Sequence, residues 1–375
     1  MIVDWAQPER LLALIRQYAG FGEHRTGGAA DEATSAWLRA RLGEAGFATA
    51  IEPFDFPRRT EGESFVSVDG ATVRGTPLYD AGTTGPQGIE GRLARAADLK
   101  PGDIALLDSP EPQAVDALLD AGRCTGVILV TADPEGDAVL RNAERMGSPW
   151  RTPALQVARR DATPLDAGRP VRLVIDHAIV AGKASNVLAD LPAPRGDGQV
   201  VLMTPKSGWY ACAAERGGGI ALTLGLAMLA AKMKDRRRHL RVLFTSGHEL
   251  GHRGLLSYLA ADPARRETPG FWLQLGASIG ARNAAQMRVF TRDPELREWF
   301  ARELERHGIA GVSLADADLR PHGESREVFD RPFLSMAGRH PWFHSRNDEP
   351  DRAVDAHSLA RYGAAFGELL ARLLA

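Results

Sequence analysis

From about residue 183 onward, short apolar runs rich in β-branched residues alternate with stretches of helical period. The runs ASNVLADLPA at 184–193, QVVLMTPKSGW at 199–209, Leu240 to Thr245 and Phe271 to Leu275 read as buried strands. Gly219 to Lys234 and Leu255 to Ala261 lie between them with the spacing of amphipathic helices. This alternation predicts an α/β fold with a mostly parallel central sheet and helices on both faces. In such sheets ligands bind beyond the carboxyl ends of the strands. Three strand-following loops, Thr204 to Trp209, Ser246 to His252 and Gly276 to Ser278, are therefore expected to share one cleft. Trp209 and Tyr210 either wall that cleft or belong to the core.

Between about residues 60 and 182 the pattern changes. The chain becomes Gly- and Pro-rich, with short strand-like runs at 102–108, 125–131, 153–159 and 171–177 and one helix-like stretch at 114–122. Such spacing predicts a smaller, β-rich module. A length of 375 residues exceeds one ordinary core. The expected division is an α/β domain from 1–59 and 183–375, with an inserted domain at 60–182.

Composition narrows the function without naming it. With 44% hydrophobic and 25% charged residues the chain is of ordinary globular type. A net charge of −2 gives no electrostatic case for nucleic acid or an anionic membrane as partner. The one basic block, KMKDRRRH at 232–239, ends an apolar helix, where cations complement the helix dipole. Two cysteines, Cys124 and Cys212, are too few for a disulfide framework or a Cys-based zinc site. The opening MIVDWAQPERLLALIRQYAG lacks the basic head and continuous apolar middle of a signal peptide. No window reaches 18 uninterrupted apolar residues, so a membrane span is not expected and the expected location is cytoplasmic.

The candidate chemistry is concentrated in LRVLFTSGHELGHRGLLSYLA at 240–260. Taken literally, His248, Glu249 and His252 spell His-Glu-x-x-His, which binds zinc when a helix presents both imidazoles one turn apart. Here a strand precedes the motif, Ser246 and Gly247 break that strand, and Gly251 falls inside the supposed helical turn. A strand-to-helix loop is the better reading, with His252 pointing away from the cleft. Ser207 and Ser246 lack the Gly-x-Ser-x-Gly frame of a nucleophile elbow. The glycines at 217–219 lack the Lys and the Ser or Thr of a phosphate loop.

Six segments in order resemble the M28 family of co-catalytic zinc aminopeptidases: 24–56, 184–193, 199–209, 213–230, 271–280 and 342–355. The resemblance implies that the 248–249 pair occupies the family's Glu-Glu position. It places Thr204, Glu215 and Gly276 where the first zinc site has its ligands, and Lys206 where an aspartate would orient the first histidine. The first site is thereby expected to be lost. Glu215, Glu249 and His344 stand at the second site, so at most one zinc or other divalent metal, or none, is expected. His248 takes the place of the catalytic base and keeps the capacity for proton transfer. Lys206 and Arg216 read as fixed cations able to hold a carboxylate or oxyanion, or as partners in salt bridges; Lys206 is expected within reach of Glu215 or Glu249. Thr204, Ser207, Trp209 and Tyr210 are expected to contact substrate. The order of elements in 60–182 resembles the protease-associated (PA) domain found inserted in M28 proteins. Two functions follow: hydrolysis of an amide, peptide-like or related small substrate, or a catalytically inactive relative that binds a small ligand or partner.

Overall fold

The computed structural model describes residues 5–194, 196 and 198–375. Residues 1–4 of the opening stretch considered above lie outside the described residues.

The chain begins with helices α1 (Pro8–Ala19) and α2 (Ala29–Glu44) and strand β1 (Ala48–Arg59). It then builds β2 (Ser64–Val68), β3 (Ala71–Arg74), β4 (Thr76–Pro77), β5 (Gly85–Ala94), β6 (Ile104–Asp108), α3 (Pro112–Ala121), β7 (Gly126–Thr131), β8 (Ala154–Ala158) and β9 (Pro170–Ile175). The second half carries β10 (Ile179–Leu191), β11 (Gln199–Pro205), α4 (Gly217–Lys232), β12 (His239–Thr245), α5 (Arg253–Ala261), α6 (Ala264–Glu267) and β13 (Phe271–Leu275). It closes with β14 (Ala285–Phe290), α7 (Pro294–Arg306), β15 (Ser313–Leu314), β16 (Phe333–Arg339), α8 (Pro350–Ala353) and α9 (Ala356–Leu374).

Among the described residues two eight-stranded sheets result. The main sheet has the order β1-β10-β12-β11-β13-β16-β14-β15, with β12, β11, β13 and β16 parallel at its centre. Antiparallel pairs flank this centre at β1-β10, β10-β12 and β14-β16. The run Val200–Met203 is buried on both faces because it lies in the middle of that parallel set. On one face α4 is enclosed by α1, α2 and α9, which is why its sequence is apolar nearly all round. On the other face Leu255 and Tyr258 of α5 pack with Leu188, Met203, Leu243 and Trp272. The Asp355 side chain caps α9 by accepting from the Ser358 amide at 2.9 Å.

The second sheet, order β3-β2-β9-β5-β6-β7-β8-β4, lies wholly between β1 and β10 in sequence. It is not smaller in strand number than the main sheet. Its β5 to β8 are parallel, with α3 crossing between β6 and β7, so this region is mixed α/β at one side. A junction cluster of Phe54, Phe56, Leu140, Trp209, Tyr210 and Leu250 joins it to the main sheet.

Candidate functional site

The parallel register aligns the ends of the central strands. Pro205 pairs with Thr245, and Leu275 with Met336, so the chain leaves β11, β12 and β13 at one edge. After β12 it makes a tight turn. Gly247, Gly251 and His252 all have left-handed backbones (φ 77°, 66° and 60°) around a single 3-10 turn at His248–Leu250, and α5 starts only at Arg253. The two histidines of the His-Glu-x-x-His string therefore do not share a helical face. His252 does not point away as expected: it lines the same cavity of about 510 Å³ as His248, with their rings 5.0 Å apart and its Nδ1 3.0 Å from Glu327 Oε1.

Arg216 lies at the centre. Its Nη2 donates to Glu249 Oε1 at 2.7 Å and lies 2.9 Å from Glu215 Oε1, while its Nε donates to the Ser207 carbonyl at 3.0 Å. Arginine and both carboxylates are at most 2% exposed. Burial alone would lower the guanidinium pKa, but Glu215 and Glu249 outweigh it and hold the group above its ordinary value. Burial likewise acts to raise Glu215, and the neighbouring His344 and Arg216 charges reverse this and hold it below the usual carboxylate range. The remaining Glu249 oxygen accepts from Ser207 Oγ at 2.7 Å, and Ser207 Oγ accepts from the Gly247 amide at 2.9 Å. Two carboxylates thus share one guanidinium as their counter-charge.

Lys206 faces elsewhere. Its Nζ pairs with Asp31 on α2, not with Glu215 or Glu249 as the sequence suggested. Asp31 also accepts from the Gly27 amide at 2.9 Å and Ser246 Oγ at 2.6 Å. The first turn of α2 brings a carboxylate under the strand ends, and a fully buried ammonium must take the partner it can reach. Charge between Glu215 and Glu249 is supplied by Arg216 alone of the two cations.

His344 approaches from the loop after β16, with φ 61°. Its Nδ1 donates to the Leu140 carbonyl at 2.8 Å, which leaves Nε2 3.2 Å from Glu215 Oε1. Leu140 belongs to the segment preceding β8, as do Ala143, whose amide donates to the Glu249 carbonyl at 2.7 Å, and Asn142, which accepts from Trp209 Nε1 at 3.0 Å. Below His344, Asp348 accepts from the Ala214 and Glu215 amides at 2.8 and 2.9 Å. Burial pushes its carboxyl up to about 8. His340, 3.6 Å from Asp348, is held down to about 4 by burial.

The donors present do not fit a metal ion. Among the described residues no group of three or more His, Cys, Asp or Glu side chains is arranged to hold one. Glu215 and Glu249 do converge, but on a guanidinium, and His344 reaches only Glu215 of the two. Thr204 Oγ1 is committed to the Leu275 carbonyl at 2.6 Å. Gly276 offers no side chain, and a Cβ there would lie 2.8 Å from both Ala337 Cβ and the Met336 carbonyl.

His248 borders the cavity with its Nδ1 unpartnered, 3.6 Å from Glu324 Oε1. Burial, then the Arg216 and His252 charges, press its pKa well below that of a free histidine. The imidazole is neutral at pH 7. Glu324 is fully buried, accepts from Thr245 Oγ1 at 2.7 Å and is raised by burial. Trp209 is 5% exposed and borders a second cavity, of about 760 Å³, together with Glu249; Tyr210 sits in the junction cluster. Asp31, Glu324 and Asp348 carry no periodic or motif signal. Only the need of a buried cation, hydroxyl or backbone amide for a partner could have pointed to them.

No family model and no curated protein matches the chain. Solved structures do. A zinc aminopeptidase from Bacillus subtilis superposes with TM-score 0.81 at 15% identity over 98% of this chain and 95% of its own. The fold is that of the zinc aminopeptidases. A peptidase M28 precursor from Shewanella amazonensis gives 0.77 at 17% identity over 98% and 94%. A glutaminyl cyclase from Porphyromonas gingivalis gives 0.53 at 13% identity over 99% of both chains. At such identities the likeness is one of fold. No helix among the described residues is long and apolar enough to cross a membrane.

Proposed function

We propose that this zinc-aminopeptidase-like chain binds a small, peptide-like ligand in its strand-end cleft without a metal ion. One observation carries the reading: the Arg216 guanidinium, 2% exposed, lies within 2.9 Å of carboxylate oxygens of both Glu215 and Glu249. A fixed cation shared by these carboxylates competes with any divalent ion for the same oxygens. Residues 60–182 supply a second wall of the cleft in this reading, since Leu140 and Ala143 hydrogen-bond to the backbone of His344 and Glu249. The two large cavities flank this contact, and a volume of about 510 Å³ suits a small molecule. Protein exposed to excess zinc, desalted and analysed for metal should retain well under one ion per chain. Retention of one or two tightly held ions overturns the proposal.

A second reading, metal-independent hydrolysis of an amide or related bond, is favoured by His248. A neutral imidazole whose Nδ1 is unpartnered can take a proton from water, and Glu324 Oε1, 3.6 Å from that nitrogen, can stabilise the charge that forms. Turnover of aminoacyl amides that persists in chelator and disappears in His248→Ala would select this reading over pure binding.

A further inference from the structure

The cavity bordered by His248 and His344 has an outer wall that the proposed function does not use. Strands β14 and β16 form it. Their pairing slips between Ala285 and Arg288, where Gln286 takes a left-handed φ of 54°. Such a bulge re-aims the side chains that follow it. Arg288 stands opposite Ala337, and Arg339 lies two residues further along β16, so both fall on the face that borders the cavity.

Neither arginine has a carboxylate partner among the described residues. Arg288 is half-buried; its Nε donates to Ser313 Oγ at 3.2 Å and its guanidinium lies 5.9 Å from the Phe290 ring. Arg339 is exposed and lies 5.8 Å from the Phe343 ring. Arg326, paired with Glu327, and His322 complete the mouth. Among the described lining residues Glu144 is the one acidic side chain, and since Arg216 and Arg326 have carboxylate partners, Arg288 and Arg339 are the uncompensated arginines, in a chain whose acidic residues slightly outnumber its basic ones. The concentration is therefore local. A concave wall with uncompensated positive charge focuses its field into the cavity and raises the local concentration of counter-charge. Planar guanidinium groups suit carboxylate and phosphoryl oxygens in particular.

We propose that the ligand of this cleft carries an ionised carboxylate or phosphoryl group held by Arg288 and Arg339, with its remainder reaching inward toward Arg216, His248 and His344. This rests on the ligand-binding reading above and names the chemistry it selects. Arg216 cannot serve as the anchor, because Glu215 and Glu249 already neutralise it; the unpaired outer arginines can.

Calorimetric titration of the full chain at low salt with glutarate, inorganic phosphate, uncharged glutaramide and leucinamide tests the proposal. Glutarate or phosphate should bind while glutaramide does not, and which of the two binds more tightly assigns the group as carboxylate or phosphoryl. Arg288→Gln and Arg339→Gln, tested singly and with their folding checked by circular dichroism, should each weaken that binding by at least about tenfold. Arg169→Gln, just before β9 of the second sheet, should leave it unchanged. Equal binding of glutarate and glutaramide, or affinity untouched in both variants, overturns the charge assignment. Leucinamide binding that is indifferent to both variants keeps the ligand-binding reading and removes this one. Silence from all four probes removes both.

Discussion

In the region of the second sheet each described ion pair keeps at least one partner well exposed to water, even where the other, Asp103 or Asp137, is buried. Arg74 pairs with Glu63 and Arg169 with Asp69, each side chain at least half exposed. The interior of that sheet is aliphatic, from Val66 and Leu93 through Ile128 to Ile175. At the strand ends of the main sheet the arrangement is inverted. Asp31, Lys206, Glu215, Arg216 and Glu249 are all at most 2% exposed, and they form two closed sets, Lys206 with Asp31 and Arg216 with the two glutamates. Removing such groups from water costs several kcal/mol each, an expense that surface pairs avoid. The difference teaches that the buried charges hold one another in place, and that no member can be lost without exposing the cost of the rest.

The largest break in this contrast is Arg216→Met. Side-chain volume is nearly kept, while Glu215 and Glu249 lose their shared counter-charge in a dry setting. The expected loss is about 3–5 kcal/mol in urea denaturation, the range for breaking a buried pair from one side. The variant should also recover stability on adding a divalent ion, because the freed carboxylates and His344 then have a vacant cation position. A loss below about 1 kcal/mol would mean that Arg216 is not the counter-ion.

How much of this was legible beforehand differs between the sheets. Hydrophobic runs marked β11, β12 and β13 closely, and those of the second sheet within two or three residues: 102–108 became Ile104–Asp108 and 125–131 became Gly126–Thr131. Buried strands declare themselves because both faces are apolar. The spatial pairing of charges was not legible. Lys206 stands two residues beyond Thr204, at a strand end beside a carboxylate-rich loop, yet its partner is Asp31, 175 residues away. His252 was expected outside the cleft, and the left-handed turn at Gly251 and His252 brings it in. Periodicity reports which face is buried. It carries no information on which of several buried ions is nearest.

An intermediate effect is expected from pH. His24 and His340 are both held down to about 4 by burial, against about 6.5 when unfolded. Between those values the unfolded chain binds more protons than the folded one, so stability rises with pH and is lost as pH falls. His248 is shifted in the same direction. Asp348, raised to about 8 by burial, acts oppositely: the folded chain keeps a proton that the unfolded chain has released above about 4, so stability falls as pH rises toward 8. Above about 6.5 only the carboxyl contribution is left. Stability should therefore peak near pH 6.5, and Asp348→Asn should flatten the alkaline limb while leaving the acid limb in place. Denaturation midpoints from pH 4.5 to 8.5 check both limbs; an unchanged alkaline limb in the variant would show that Asp348 is already ionised at neutral pH.

The smallest effect is expected from Arg74→Gln, and it tests whether the contrast concerns burial or merely charge. Arg74 Nη1 lies 2.9 Å from Glu63 Oε2, as close as Arg216 lies to Glu215, so distance alone would predict similar costs. The side chains are 71% and 62% exposed, however, and water solvates either ion when the other is removed. Coulomb attraction is weak at such a dielectric, salt screens it further, and two long side chains must be ordered to obtain it. The expected change is below about 1 kcal/mol and should shrink further when salt is raised. A loss matching that of Arg216→Met, unaffected by salt, would show that Arg74 is structurally committed in the second sheet, and burial would no longer explain why the two sheets differ.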